Sequence, residues 1–244
     1  MANNKLKHIE GIEHLTSLRK IDLGANRIRK IPARQFLNLT DLEELWLGKN
    51  KIEQIEGLEK LTSLKRLDVQ SNRLTNVENL TGQVDTLEEL YLAHNGITDE
   101  GAMRETGLLL SFTKLTTLDL SKNRLKSCRP FSHLVKLNEL WISTNNIASF
   151  EDVQPISVLP ELNEIYLEHN PIYHDFEYRK KLKGIVPSLR QIDANLIEPT
   201  RYGNMTTTAG ADPNNMIQRM QQLQEKVVQK AKAQHEENTK SEKL

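Results

Sequence analysis

Aromatic and acidic residues recur at one position of a regular sequence pattern, and such residues can bind another protein without covalent chemistry. The position holds both tryptophans of the chain. Its seven occupants, named here the Trp46 column, are Asp22, Trp46, Asp68, Tyr91, Asp119, Trp141 and Tyr166. Aromatic rings flanked by charge are typical of the hot spots of protein interfaces. We therefore predict that the Trp46 column contacts a protein partner.

A second column stands two residues earlier in each copy and is mostly acidic. Named here the Glu44 column, it holds Lys20, Glu44, Arg66, Glu89, Thr117, Glu139 and Glu164. The two columns together carry seven acids and two bases. The predicted binding residues are the Trp46 column with Glu44, Glu89, Glu139 and Glu164, and the expected partner surface is basic with apolar pockets. Two plainer interpretations stay open, namely rings that only cover neighbouring strands and a solvated charged face.

Residues suited to catalysis or metal binding do not cluster. His94 and His169 occupy equivalent positions but lie 75 residues apart, too far to share a metal. The sequence has no GxSxG, no glycine loop for phosphate and no HExxH. Asp119 and Glu139 are the one conceivable acid pair, but an open wet surface is expected to leave carboxyl pKa values unshifted. We predict no enzyme, no catalytic residue, no metal and no cofactor.

The columns belong to the pattern L-x-x-L-x-L-x-x-N-x-L, in which Ile or Val often replaces Leu. Its asparagines, predicted to be structural, are Asn26, Asn50, Asn72, Asn95, Asn123, Asn145 and Asn170. One copy is too small to bury its own apolar face, so the copies must stack into a solenoid. The predicted fold is an α/β leucine-rich-repeat solenoid. Short parallel strands line its concave face, 3₁₀ or short helical arms its convex face, and a helical cap its C-terminal end.

The pattern also predicts boundaries along the chain. They are 1–170 for the repeats (one incomplete, then seven copies), 171–197 for the cap, 198–212 for a flexible linker, 213–235 for a helix and 236–244 for a disordered tail. The cap should contain a helix from Phe176 to Ile185. The longest spacing, before Asn123, predicts a helical arm around residues 99–112. Because the pattern begins in mid-repeat, we expect further repeats to precede Met1 in the full protein.

Composition bears on partners and location. Lys and Arg number 33, as do Asp and Glu, so no global positive field attracts nucleic acid or an anionic membrane. No stretch approaches the roughly 20 apolar residues of a membrane span, and no signal sequence opens the chain. The single cysteine, Cys128, is expected to be packed and structural. These features predict an unsecreted protein of the nucleus and cytoplasm that binds neither nucleic acid nor membrane directly.

Residues 4–197 resemble one family, the leucine-rich-repeat regulatory subunit of protein phosphatase 1 (regulatory subunit 7). The similar segments are LGKNKI (47–52), QSNRLT (70–75), ELYLAHNGI (89–97) and the cap YLEHNP…YRKKL…PSLRQIDA (166–194). The resemblance implies that the phosphatase catalytic subunit binds the concave face, with room for a third regulatory protein. Contact positions of the family would then fall on Asp22, Trp46, Asp119, Glu139, Trp141 and Tyr166. It also implies that the family's N-terminal repeats are missing here.

Two other families share the repeat. One is the U2 small nuclear ribonucleoprotein A-prime component, a spliceosomal scaffold that also ends in such a cap. The other comprises ciliary or cytoskeletal repeat proteins that bind a dynein or tubulin component. Co-purification with a phosphatase, a spliceosomal protein or an axonemal protein would separate the three.

Overall fold

Short strands, one for each repeat, follow one another along the chain. The computed structural model describes residues 1–103 and 112–197. The strands in these ranges are β1 (Lys20–Asp22), β2 (Glu44–Trp46), β3 (Arg66–Asp68), β4 (Glu89–Tyr91), β5 (Thr117–Asp119), β6 (Glu139–Trp141), β7 (Glu164–Tyr166), β8 (Gln191–Ile192) and β9 (Asn195–Leu196). They form one sheet in chain order, parallel from β1 to β8 and antiparallel between β8 and β9. This is the sheet of the predicted solenoid.

Each three-residue strand alternates between the core and the outer surface of the sheet. In β2, Leu45 is fully buried, whereas Glu44 and Trp46 are half-buried on the other side. The register pairs Glu44 with Arg66 and Trp46 with Asp68. Because every parallel pair keeps this register, the Glu44 and Trp46 columns run side by side across the concave face.

The arms between strands contain short helices. In the described ranges the α-helices are α1 (Ala33–Phe36), α2 (Asp99–Ala102), α3 (Phe150–Val153) and α4 (Tyr178–Ile185), and the 3₁₀ helices are Thr81–Gln83, Arg129–Phe131, Gln154–Val158 and Pro171–His174. The cap helix thus begins two residues later than the sequence predicted, at Tyr178. Helix α2 opens the arm predicted for 99–112, capped by the Thr98 hydroxyl, which accepts from Gly101 N–H at 3.2 Å. Residues 104–111 of that arm and the predicted linker, helix and tail (198–244) lie outside the described residues.

The core is one continuous apolar column from Ile9 to Ile192. Leucine and isoleucine fill most of it, and Phe36, Phe112 and Phe131 are its largest fully buried side chains. Cys128 is fully buried in the same column, where burial raises the pKa of its thiol above the ordinary value. A neutral, enclosed thiol is a packing residue rather than a nucleophile.

The pattern asparagines join each repeat to the one before it. Asn50 Nδ2 donates to Leu47 O in its own repeat at 2.9 Å and to Leu23 O in the preceding repeat at 3.0 Å. Its Oδ1 accepts from Ile28 N–H at 3.0 Å. The other copies repeat this arrangement, as in the bonds of Asn145 to Leu120 O and from Leu125 N–H. The amide therefore satisfies backbone groups of two repeats that the turn leaves without strand partners.

The residue before each pattern asparagine has a positive φ, between 52° and 60°. These residues are Ala25, Lys49, Ser71, His94, Lys122, Thr144 and His169. Asp193 has the same conformation, and Ala194 stands where the next asparagine would be. Asp193 Oδ1 instead accepts from Leu167 N–H at 2.8 Å and Glu168 N–H at 3.0 Å. The row of amides therefore ends in a carboxylate at the cap.

Candidate functional site

Three aromatic rings of the Trp46 column contact one another on the C-terminal half of the concave face. The ring centroids of Trp141 and Tyr166 are 5.7 Å apart at 69°, and those of Tyr91 and Trp141 are 6.3 Å apart at 63°. Tyr166 Oη accepts from Gln191 Nε2 at 2.6 Å, and Tyr91 Oη donates to Glu89 Oε2 at 2.6 Å. We call Tyr91, Trp141 and Tyr166 the aromatic cluster. Its edge-to-face geometry is the favoured one for such pairs.

Asp119 lies beneath this cluster. It pairs with Tyr91 on one side and Trp141 on the other, so the contact between those two rings crosses over it. Its side chain accepts from Ser121 N–H at 2.9 Å, and the residue is only 7% exposed. Burial raises the pKa of the Asp119 carboxyl above its ordinary value. The carboxylate is thus desolvated in the middle of the sheet surface.

Two carboxylates beside the aromatic cluster have no cation to balance them. Among the described residues, neither Glu139 nor Glu164 forms an ion pair within 4.0 Å. Burial first, and then the charges of Glu164 and Glu89, raise the pKa of Glu139. An approaching Lys or Arg would relieve this repulsion, since an opposite charge stabilises the ionised carboxyl.

Both bases of the two columns lie in the N-terminal half of the face. Lys20 Nζ is 2.6 Å from Glu44 Oε1, Arg66 pairs with Glu89, and the Arg66 guanidinium lies 5.5 Å from the centre of the Trp46 ring. Each base of the Glu44 column is therefore paired with a glutamate of the next strand. The sequence predicted an acidic inner face. In the structure Lys20 and Arg66 offset part of that charge in the N-terminal half, whereas Glu139 and Glu164 in the C-terminal half have no cation within 4.0 Å among the described residues.

A small hollow lies next to Trp46. It measures about 220 Å³ and is lined by Trp46, Asp22, Asp68 and Gln70 among others. Asp68 is buried, and that burial raises the pKa of its carboxyl, while its Oδ1 accepts from Gln70 N–H at 2.9 Å. The hollow is large enough for one side chain of a partner.

The structure changes two interpretations made from the sequence, one about carboxyl pKa values and one about the role of Trp141. The expectation that an open face leaves carboxyl pKa values unshifted is wrong for Asp68, Asp119 and Glu139, because neighbouring strands and rings desolvate them. Trp141 does cover neighbouring strands, as the plainer interpretation held, and its Nε1 is buried without an acceptor among the described residues.

The sequence argument missed two residues that hold the site in place. Gln191 donates to Tyr166 of the aromatic cluster, and the N–H of Ser121 donates to Asp119. Pairing of equivalent positions across the sheet could have indicated the Arg66–Glu89 bond.

No set of three His, Cys, Asp or Glu side chains in the described ranges could hold a metal ion. His94 Nδ1 is 3.2 Å from Ser71 Oγ on the exposed rim of the sheet. His169 lies instead beside Tyr173, 6.1 Å between ring centres. The structure therefore keeps the two equivalent histidines in separate surroundings. None of the helices in the described ranges is long and apolar enough to cross a membrane.

The fold and its concave surface define the class of this protein. Models described as leucine-rich repeat match residues 16–74 and 86–104, and one described as two copies of the repeat matches residues 113–155. A solved structure of internalin C2 from Listeria monocytogenes is similar, with a TM-score of 0.65 and 29% identity over 78% of this chain and 76% of that one. The chain is a leucine-rich-repeat protein, of a kind that serves as an interaction scaffold.

Curated relatives carry several different names. Protein phosphatase 1 regulatory subunit SDS22 of Schizosaccharomyces pombe is 40% identical over 28% of this chain and 21% of its own length. U2 small nuclear ribonucleoprotein A' of Candida glabrata is 38% identical over 34% of this chain and 32% of its own. Leucine-rich repeat-containing protein 23 of Xenopus tropicalis is 32% identical over 45% of this chain and 32% of its own length. The chain thus spans a third or less of the length of these relatives.

Proposed function

We propose that the chain is a regulatory or scaffolding subunit that docks the catalytic subunit of protein phosphatase 1 on its concave face. The observation that carries the proposal is the aromatic cluster with Glu139 and Glu164 unbalanced beside it. Half-buried rings next to unpaired acids favour a partner surface that is basic around an apolar pocket. Similarity to a regulatory subunit of this phosphatase supports the choice of partner.

In this proposal the two halves of the face have different roles. The aromatic cluster anchors the partner, and the acidic side chains Glu139 and Glu164 increase the association rate and set its dependence on salt. The hollow beside Trp46 accepts a single partner side chain. The protein would act in the nucleus and cytoplasm, where the phosphatase subunit and a third regulatory protein could assemble on it.

The test is calorimetric titration of purified phosphatase 1 catalytic subunit into the chain and two variants. Trp141→Ala/Tyr166→Ala removes two anchors and should weaken binding by at least about 2 kcal/mol. The matched control is Tyr173→Ala/Phe176→Ala, which removes two exposed aromatic rings of the cap outside both columns. Affinity equal for both double variants would contradict a role for the concave cluster.

A second candidate function is that of a spliceosomal scaffold. The similarity to the U2 A' protein is nearly as high as that to SDS22 and covers slightly more of this chain. Affinity purification of the tagged chain separates the two candidates. Recovery of phosphatase catalytic subunit supports the first, whereas recovery of spliceosomal proteins without phosphatase supports the second.

A further inference from the structure

A groove on the flank of the first three repeats is lined mainly by cations. Its volume is about 740 Å³. The basic residues lining it, named here the basic groove, are Lys7, Arg27, Arg29, Lys30, Arg34 and Lys51. His8 also lines it, and Glu10 is the one carboxylate among its lining residues. Such a concentration of positive charge is unexpected in a chain whose formal net charge is zero.

The basic groove lies away from the concave face, just beyond the turn that each pattern asparagine makes. Arg27 N–H donates to Leu6 O and Lys51 N–H donates to Ile28 O, each at 2.8 Å. These bonds stack three successive arms. Lys7 and Arg29 stand at equivalent positions of the first and second arms, and Arg27 and Lys51 at equivalent positions of the second and third. The backbones of neighbouring arms are separated by about one strand spacing, about 4.8 Å.

The cations of the groove outnumber the carboxylates beside them, and Glu10 is the one acid that lines the groove with them. None of the six forms an ion pair within 4.0 Å with a carboxylate of the described residues. The next repeat differs, because Arg73, which follows the asparagine of that repeat, is 3.4 Å from Glu53. Farther along the same flank, Arg124 and Lys126 also form no ion pair within 4.0 Å among the described residues, but they do not line the basic groove.

Six cations around a single lining carboxylate favour an anionic ligand, and three of the six are arginines suited to oxyanions. A guanidinium presents its N–H groups as a planar fork that matches carboxylate and phosphate oxygens. Pro32 and the buried Ile9 give the groove an apolar floor as well. A ligand with both acidic groups and aliphatic side chains complements this surface.

The shape favours a peptide over a nucleic acid. No Phe, Tyr or Trp is among the residues lining the groove, so it offers no ring on which a base could stack. Three stacked arms extend about 10 Å, the length of about three residues of extended peptide. We propose that the basic groove binds an extended acidic segment of a partner protein, with carboxylate or phosphate side chains on successive arms. This proposal does not depend on which protein occupies the concave face.

The test is fluorescence anisotropy of a labelled hexaglutamate peptide titrated with the full chain at low salt. Arg27→Glu/Arg29→Glu should weaken binding by about tenfold or more, since it places two acids in the groove. The matched control is Arg124→Glu/Lys126→Glu, the equivalent exposed pair four repeats farther on. Binding of the control should stay within about twofold of the original chain. Far-UV circular dichroism checks that both variants remain folded.

Further probes distinguish the source of the anion. A hexapeptide carrying two phosphoserines that binds more tightly than hexaglutamate identifies phosphate as the recognised group, and the reverse order identifies carboxylates. A six-nucleotide RNA that binds more tightly than both peptides would overturn the peptide assignment. Equal losses in the two charge-reversal variants, or no peptide binding at low salt, would overturn the site. Trp141→Ala/Tyr166→Ala should leave hexaglutamate binding unchanged, which separates this site from the concave face.

Discussion

Trp141 and Tyr166 stand on adjacent strands with their rings edge to face, 5.7 Å between centres. Trp141 also contacts Tyr91 two strands away. Trp141 on β6 therefore contacts side chains of β4 and β7 and passes over β5. The same ring offered to a partner is thus part of what stabilises the sheet.

Trp141→Ala should lower the free energy of unfolding by about 2 kcal/mol, because both edge-to-face contacts and the covered apolar surface are lost. Urea denaturation followed by circular dichroism measures it. Trp46→Ala is the matched control, since Trp46 is contacted by Arg66 rather than by other rings. Trp46→Ala should lower the free energy of unfolding by about 1 kcal/mol. An equal or greater loss for Trp46 would show that the aromatic cluster adds no stability.

Asp119→Asn should raise the urea midpoint at pH 7. The folded protein raises the pKa of Asp119, so the protonated carboxyl stabilises the fold fully below the unfolded-state pKa of about 3.9. That stabilisation is lost as the pH rises through the folded-state pKa. Asparagine stays neutral throughout and can keep the bond from Ser121 N–H. The advantage over the original chain should therefore disappear as the pH is lowered below the unfolded-state value.

The control for Asp119→Asn is Asp22→Asn, an exposed aspartate of the same Trp46 column. It should alter the urea midpoint at pH 7 little, because the residue is exposed and asparagine can keep the bond from Gly24 N–H. If Asp119→Asn lowers the midpoint at pH 7, the buried carboxylate is stabilised by something other than the bonds described here.

Asn145→Ala should destabilise the fold by about 3 kcal/mol, since buried backbone groups lose their partners. The amide accepts from Leu125 N–H at 2.9 Å and donates to Leu120 O and Ile142 O at 3.0 Å. Asn146→Ala changes the same residue type one position later, where the side chain is exposed. Thermal and urea unfolding should distinguish the two clearly, and similar losses would refute the structural role of the pattern asparagine.

Thr144→Gly should stabilise the chain by about 1 kcal/mol, because a β-branched residue is strained at its φ of 57°. Thr75 is also exposed, but it is not among the residues with positive φ. Thr75→Gly should therefore destabilise by up to about 1 kcal/mol through the added freedom of the unfolded chain. Opposite signs in paired urea titrations are the expected result, and a loss of stability in both variants would contradict strain at Thr144.

The strands and the facing of their side chains were predictable because two short-range rules fix them. A leucine pattern with a fixed asparagine sets the register, and alternation along a strand sets which side Trp141 and Glu139 face. The C-terminal end of the repeats was harder to predict, because the cap has Asp193 and Ala194 where the asparagine pattern would continue. Its helix was predicted from the loss of the pattern, and only its first turn was misplaced.

The electrostatics of the face depend on contacts across strands that a linear pattern does not reveal. The sequence identifies Arg66 and Lys20 as two bases of the face, but it does not show that each is paired with an acid of the next strand. The shifted pKa of Asp119 arises because rings two strands apart close over it. The basic groove was not predicted because its cations come from three arms about 22 residues apart, at variable positions that the leucine pattern does not specify.

The order of the strands also sets a minimum size for any ligand that touches both tryptophans. Trp46 lies on β2 and Trp141 on β6, four strand spacings apart in an unbroken sheet. That separation is about 19 Å along the backbone of the sheet. A short linear peptide lying along one strand cannot reach from one tryptophan to the other. Simultaneous contact requires either a folded domain at least that wide or an extended segment of about six residues that crosses the strands.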